Sequence, residues 1–385
     1  MSLETPVYIR GDYHVCPSPL ALDPYYGCLQ RCTFCFCREI EHRFNPKGYA
    51  AYEVRDANLK KAENIIKLGL SEKETTNHVA LAIRAGWPMA LGKKVEPFQP
   101  VELERGMTLK CLRLLKEYDL PTLVETKHIY LGLDKYLKII GDMNKIAINV
   151  SIISGSMSKV LLLEPHAPLT DHRWKLIKLL KDSGFWVGVR NEPLLMGIGS
   201  GPKTLERYAN KAAEVDVDHV NFGNYRVFDP KLAHANFEAT GLGKEYLKML
   251  KLNEKWRETG EYFVKLLHDR GIKATSSDWD TFHDLNDCEN CCGVDEVFPD
   301  FNKFTFQHAL MTLREEGRAE WGSIAQGAGW LQEDKVLKIR CIWNMEDKKY
   351  YSLNDAHGVG VIGRDGEGNI IYGKKKRKSL REVFG

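Results

Sequence analysis

The sequence predicts an α/β fold, repeated β-α units around a parallel sheet, and three observations predict it. From about residue 55 to 275 short apolar runs alternate with longer amphipathic ones, as strands joined by crossover helices do. The 385 residues suffice for one barrel-sized domain with an appendage, or for two or three smaller domains. Hydrophobic content of 43% with 28% charged residues fits a globular chain, neither disordered nor fibrous.

Strands are expected at HVALAI (78–83) with MAL (89–91), TLVET (122–126), KIAINVSII (145–153), FWVGVR (185–190) and HVNFG (219–223). Between them, apolar residues recur at helical spacing in ANLKKAENIIKLGL, ERGMTLKCLRLLKEY, LDKYLKII, DHRWKLIKLLKDSG, TLERYANKAAEV and KEYLKMLKLNEKWRETGEYFVKLLHDRG. Polar residues at strand ends then point into the C-terminal mouth, where barrel active sites are built. After KATSS the texture turns aromatic, Cys-rich and Gly-rich, so a first domain is expected over 1–275 and an α+β extension over 276–385. In the extension, GVGVIGRDGEGNIIYG has the turn residues of a hairpin.

No apolar run approaches the about 20 residues a membrane span needs, and MSLETPVYIRGDY lacks the layout of a secretory signal. A cytoplasmic location is expected. Net charge is only +3, but Lys374, Lys375, Lys376, Arg377, Lys378 and Arg381 crowd into eight residues. Such a run can neutralise phosphates, yet without interleaved aromatics it reads first as a solvated tail.

Ten cysteines in a chain read as cytoplasmic argue for metal or catalytic thiols over disulfides. Cys28, Cys32, Cys35 and Cys37 lie close together, as do Cys288, Cys291 and Cys292, whereas Cys16, Cys111 and Cys341 are scattered. Cys111 falls in a helical pattern and reads as a core residue. The C-x3-C-x2-C spacing of Cys28, Cys32 and Cys35 lets three soft thiolates hold three irons of a cubane and leave the fourth open. Gly27 permits a tight backbone approach before the first ligand. A zinc tetrad completed by Cys37 is the alternative, although zinc usually takes paired C-x2-C thiols or histidines.

DPYYGCLQRCTFCFC resembles the signature of the radical S-adenosylmethionine superfamily, with Phe34 as the aromatic before the third cysteine. The resemblance implies a partial (β/α)6 TIM-like barrel of the radical SAM type, followed here by the Cys-rich α+β C-terminal extension. It also implies a 4Fe-4S cluster and S-adenosyl-L-methionine, cleaved reductively to a 5'-deoxyadenosyl radical. DPYYGC, LGKKVEPFQPVE, ETKH and EPHAPLTDHRWKLIKLLKDSGFWVGVRNEPLLMG resemble, in the same order, segments of the spore photoproduct lyase branch. Carried over by position, Lys127 would meet the cofactor's carboxylate, Gly92 and Lys93 its amino group and Phe34 the adenine. Asn149 and Ser151 would serve the ribose, and Arg190 ends the fifth strand. One departure matters: that branch's hydrogen-donating cysteine is absent, since Gly92, Lys93, Lys94 and Val95 lead to Glu96.

DHVNFGNYRVFD places Asp218, His219, Asn221, Asn224, Tyr225 and Arg226 at and beyond the sixth strand, with Asn221 and Tyr225 as candidate catalytic groups. Cys288, Cys291 and Cys292 read as half a metal site, zinc included, with His283, His308, Cys341 or Cys16 available to finish it. They also read as active-site thiols returning hydrogen, or as inert buried cysteines. Asp278, Trp279 and Asp280 would close the mouth.

The expected function is therefore a radical enzyme, a lyase, acting on a nucleobase, nucleoside or nucleic acid by hydrogen abstraction followed by cleavage or rearrangement. Its partner would be a one-electron reductant such as flavodoxin or ferredoxin. The alternatives are a queuosine-type deazaguanine nucleoside lyase, photoproduct repair in DNA, and a zinc-stabilised binding protein without activity. Oligomeric state is not written in these motifs.

Overall fold

The computed structural model describes residues 6–9, 18, 20–44, 53–288 and 290–299, and beyond them 318–320, 340–344, 349–352, 359–364, 366 and 370–374. The chain divides into two compact units, one of Met1–Tyr8 with Leu20–Phe301, the other of Ile9–Pro19 with Asn302–Gly385. No helix among the described residues is long and apolar enough to cross a membrane.

The first unit is built on strands β1 (Val7–Ile9), β2 (Leu20–Leu22), β5 (Met89–Leu91), β6 (Thr122–Thr126), β7 (Ile146–Ser151), β8 (Val187–Leu194), β9 (His219–Asn224) and β10 (Lys273–Ser276). They form one eight-stranded sheet in the order β1-β2-β5-β6-β7-β8-β9-β10. Every pairing from β2 to β10 is parallel, so the α/β expectation holds. A short antiparallel pair, β3 (Tyr25–Tyr26) with β4 (Arg55–Asp56), stands apart from it. In the second unit β11 (Arg318–Glu320), β15 (Ile370–Lys374) and β14 (Val359–Arg364) form one sheet, and β12 (Arg340–Asn344) pairs with β13 (Lys349–Ser352). β14 and β15 are antiparallel, as the hairpin pattern predicts.

Three segments quoted above differ in structure, and the helices Phe36–Phe44, Met157–Leu163 and Pro230–Ala239 lie outside the patterns read from the sequence. HVALAI is a helix, His78–Arg84: Asn77 Oδ1 caps it by accepting from Val79 N (3.0 Å) and Ala80 N (3.1 Å). The cap and two buried alanines outweigh the β-branched residues. The long helical run after Leu242 breaks at a tight turn, Asn253–Lys255, into Gly243–Leu252 and Trp256–His268. KATS, expected as a boundary, is the parallel strand β10 at the sheet edge.

The strand period of two divides the sheet into unlike faces. Val124, Ile148, Val150, Val187, Val189, Val220, Phe222 and Ala274 fall on one face and are all buried. Helices cover it; Phe222, for example, meets Trp256 and Phe263 edge-on. The opposite face carries Glu125, Asn149, Ser151, Arg190, Glu192, His219, Asn221 and Thr275, neighbours by register. Asn149 Oδ1 overhangs Gly188 on this face, where a Cβ would come within 2.1 Å of it. Asn149, Ser151, Arg190 and Asn221, candidates in the sequence reading, lie on this polar inner face.

Candidate functional site

Cys28, Cys32 and Cys35 lie on the loop between β3 and the helix Phe36–Phe44. Two neighbouring motifs fix that loop. Gln99 Oε1 accepts from Leu29 N (3.0 Å) while its Nε2 donates to Gly27 O (3.2 Å). The buried Glu102 accepts from the hydroxyls of Tyr25 and Tyr136, the latter at 2.6 Å, and from Thr108 N (2.8 Å) and Leu109 N (3.1 Å). FQPVE thus anchors DPYYGC. From the far side, Thr33 donates through its N–H to Leu163 O (2.8 Å) and through its hydroxyl to Leu162 O (3.2 Å).

Burial pushes the Cys28 thiol up to about 11 and the Cys32 thiol up to about 12, and each is also opposed by the charge of the neighbouring thiolates. Cys35 goes the other way, to about 7, because Cys37 hydrogen-bonds it. Three thiols on one loop, mutually repelling as anions, fit a cofactor that takes a separate iron per thiolate. Among the described residues, no three His, Cys, Asp or Glu side chains converge as a single metal ion requires. Cys16, His308 and the Cys341 side chain lie outside the described residues.

The strand ends meet this loop. Lys127, directly after β6, places Nζ 3.3 Å from Cys32 Sγ, 2.8 Å from Glu164 Oε1 and 5.3 Å from the Phe34 ring centroid. Burial disfavours its charge, but the acidic groups beside it, Cys32 and Glu164, override that and raise the ammonium above the ordinary lysine value. Gly92 ends β5 with φ +96°, and a Cβ there would lie 2.5 Å from Glu125 O, so only glycine lets the chain pass. Lys93 turns to Glu125 Oε1 (2.7 Å), which also receives Arg190 Nη1 (2.6 Å). Arg190 Nη2 continues to Glu192 Oε2, and Ser277 Oγ donates to Glu192 Oε1 (2.8 Å). Although burial opposes it, Arg190 and Arg226 bring Glu192 down to about 2.

Asn221 is buried on the inner face, its Nδ2 donating to Thr275 O (3.4 Å). The Tyr225 hydroxyl is engaged by Glu39 of the helix after the thiol loop. Glu39 Oε2 also accepts from Phe228 N (2.8 Å) and Asp229 N (3.1 Å), so Tyr225 docks the 225–229 loop onto that helix. Asp218 and His219 differ from expectation: they precede and open β9, at the end away from the mouth. There Asp218 holds Lys181 (2.6 Å), and His219 Nε2 pairs with Thr275 Oγ1 (3.0 Å).

The 288–293 segment lies against the inner face from the strand-start side. Cys288 N donates to Thr275 Oγ1 (3.2 Å), Cys292 O accepts from Asn149 Nδ2 (3.3 Å), and a Cβ on Gly293 would meet His219 Cγ at 2.8 Å. Cys288 and Cys292 thus belong to a floor under the inner face, with Cys291 between them in the chain. Asp278 accepts from Asn224 N (2.7 Å) and Arg226 Nη2 (2.9 Å); the Trp279 and Asp280 side chains are outside the described residues, as is the tail beyond Lys374.

Glu39, Glu96, Gln99, Glu102, Glu125, Glu164, Arg173 and Glu192 have no role in the sequence reading. Several sit inside the quoted motifs EPFQPVE, ETKH and EPHAP, so the letters were a signal, but not for what each carboxylate holds.

No family model matches the chain, and no curated protein matches it. Among solved structures it is similar to Streptococcus suis SuiB bound to the precursor peptide SuiA, at 17% identity and TM-score 0.45, covering 76% of this chain and 54% of that one. It is similar to a point mutant of spore photoproduct lyase at 14% identity and TM-score 0.49, covering 68% of this chain and 76% of that one. For the lyase complexed with dinucleoside spore photoproduct the values are 16% and 0.42, over 58% and 61%. The chain thus spans about half the length of SuiB.

Proposed function

We propose that the chain is a radical S-adenosylmethionine enzyme whose 4Fe-4S cluster is held by Cys28, Cys32 and Cys35. One observation carries the reading: the end of β6 delivers the Lys127 ammonium to Cys32 Sγ at 3.3 Å, beside the glycine bend that ends β5. When bound, the cluster and S-adenosylmethionine supply a 5'-deoxyadenosyl radical. Phe34, Gly92, Lys93, Lys127, Asn149, Ser151 and Arg190 bind and orient the cofactor, and the inner face receives the substrate. The enzyme acts as a lyase in the cytoplasm, supplied with electrons by a carrier such as flavodoxin or ferredoxin.

The charge balance of the inner face favours a neutral, hydrogen-bonding substrate group. Lys93 and Arg190 are paired with Glu125, Arg190 also with Glu192, and Arg226 with Asp278. Asn221, Thr275 and Ser277 add neutral donors and acceptors. A nucleobase or nucleoside suits this better than a run of phosphates, which asks for cations without built-in partners. A base-releasing nucleoside lyase is therefore favoured over photoproduct repair, for which the second-strand cysteine is also missing. Cys288, pushed up to about 12 by burial, stays a thiol, the form that can return a hydrogen atom, and Cys292 shares its floor, with Cys291 between them in the chain.

Anaerobic reconstitution with iron and sulfide, reduction, and assay of 5'-deoxyadenosine test the reading. The wild type forms it and Cys35→Ala does not; absence from the wild type refutes the cluster assignment. A nucleoside screen that releases no free base, together with irradiated DNA left unrepaired, refutes the substrate class.

A further inference from the structure

Cofactor binding by Lys127 does not require what surrounds it. Its ammonium touches Glu164 Oε1 at 2.8 Å and Cys32 Sγ at 3.3 Å, and its backbone N–H donates to Glu96 Oε2 at 2.8 Å. The Glu164 side chain is fully buried, and its second oxygen forms an ion pair with Arg173 Nη2 at 2.6 Å. Arg173, on the helix Thr170–Asp182, is buried as well. Its Nε donates to Pro168 O (2.9 Å) and its Nη1 to Ser151 O (3.0 Å). With each guanidinium nitrogen engaged, Arg173 ties both ends of the 164–168 turn to the last residue of β7, and Glu164 has one place to stand.

Stability does not account for a buried Lys–Glu–Arg triad, because apolar side chains of similar volume would avoid the desolvation. The triad also carries a net positive charge, and beyond Glu164 the side-chain atom its ammonium reaches is the sulfur of Cys32. An ammonium has three N–H donors. One is directed at Glu164 and one at Cys32, which leaves a third for a cofactor carboxylate.

We propose that Glu164, seated by Arg173, is a positioning residue that holds Lys127 as hydrogen-bond donor to the Cys32 thiolate, and that this N–H···S contact sets the reduction potential of the cluster. The inference rests on the cluster reading given above. Reduction adds negative charge to a cluster, so a hydrogen bond and a cation at a ligand sulfur stabilise the reduced form and raise its potential.

The test is a potentiometric titration, followed by electron paramagnetic resonance, of the reconstituted wild type, Lys127→Met and Glu164→Gln. In Lys127→Met the reduction equilibrium falls at least tenfold, about 59 mV for a one-electron couple. In Glu164→Gln the potential falls too, by less. The sign separates positioning from simple charge, because neutralising an anion near the cluster would by itself raise the potential. A rise or no change in Glu164→Gln at wild-type cluster content overturns the inference. So does an unchanged potential in Lys127→Met, which keeps the test decisive where Glu164→Gln does not fold. A wild type that takes up no cluster refutes the cluster reading, and this inference with it; a loaded cluster with unmoved potentials refutes the inference alone.

Discussion

Replacing Glu102 by glutamine should loosen the thiol loop without touching a cysteine. The carboxylate takes Tyr136 OH (2.6 Å) and Leu109 N (3.1 Å) on Oε1, and Tyr25 OH and Thr108 N (2.8 Å) on Oε2. Glutamine keeps one oxygen and turns an NH2 toward the other two donors. Two hydrogen bonds to a charged acceptor, at about 1.5–3 kcal/mol each, are then lost. Tyrosine hydroxyls can rotate to accept from the new NH2, so the lower end applies, about 3 kcal/mol. Against a total stability of about 5–15 kcal/mol this is a large fraction. Urea unfolding should show a lower midpoint at unchanged slope, and Cys28, three residues beyond Tyr25, should be alkylated faster. Tyr136→Phe withdraws one donor and leaves Glu102 the others, for about 1 kcal/mol. The double variant should cost less than the sum, because the two changes share a bond. A loss below about 1 kcal/mol for Glu102→Gln, or strict additivity, would show that Glu102 does not anchor the loop.

Three further outcomes are expected. Gly92→Ala forces a Cβ to 2.5 Å from Glu125 O at φ +96°, so it should destabilise by more than the about 1–3 kcal/mol of backbone strain alone; a variant with wild-type melting behaviour contradicts the geometry. Burial depresses the pKa of His219 from 6.5 to about 4, so the folded state resists a proton that the unfolded chain accepts. Stability should be full above pH 6.5 and fall as pH drops toward 4, by about 3 kcal/mol for this group. His128, also lowered to about 4 by burial, adds to the same window. His219→Asn should therefore flatten the stability–pH curve only in part, and a curve parallel to wild type would exclude His219 as a source. Tyr225→Phe removes the hydroxyl that joins the 225–229 loop to Glu39, and should cost about 2 kcal/mol and speed proteolysis within that loop. An unchanged cleavage rate would mean the loop is held by other contacts.

The sheet was legible wherever an apolar run was long enough to have one period, as in KIAINVSII and FWVGVR. HVALAI misled because a run of five apolar residues fits either a strand or a buried helix, and the deciding fact was the Asn77 side chain one position before it. KATS was too short and too polar to announce the strand β10. At the site, spacing identified the thiols and motif order led to Gly92 and Lys127, because those depend on local sequence. The partners were out of reach for a physical reason. Glu164 meets Lys127 across 37 positions and Tyr225 meets Glu39 across 186, and no periodicity encodes such distances. Asp218 and His219 stand at the start of β9, so strand direction alone sets them apart from Asn224 and Tyr225 at the C-terminal mouth.

Each central strand carries two independent messages on alternate residues. Toward the helices the sequence can vary in size and shape as long as it stays apolar, while the inner side can exchange amides, hydroxyls and charges with little effect on the shell. Neighbouring residues such as Val189 and Arg190 thus face different selection. Descendants of this chain could change what they act on through every second position, with the thiol loop and helical shell inherited intact.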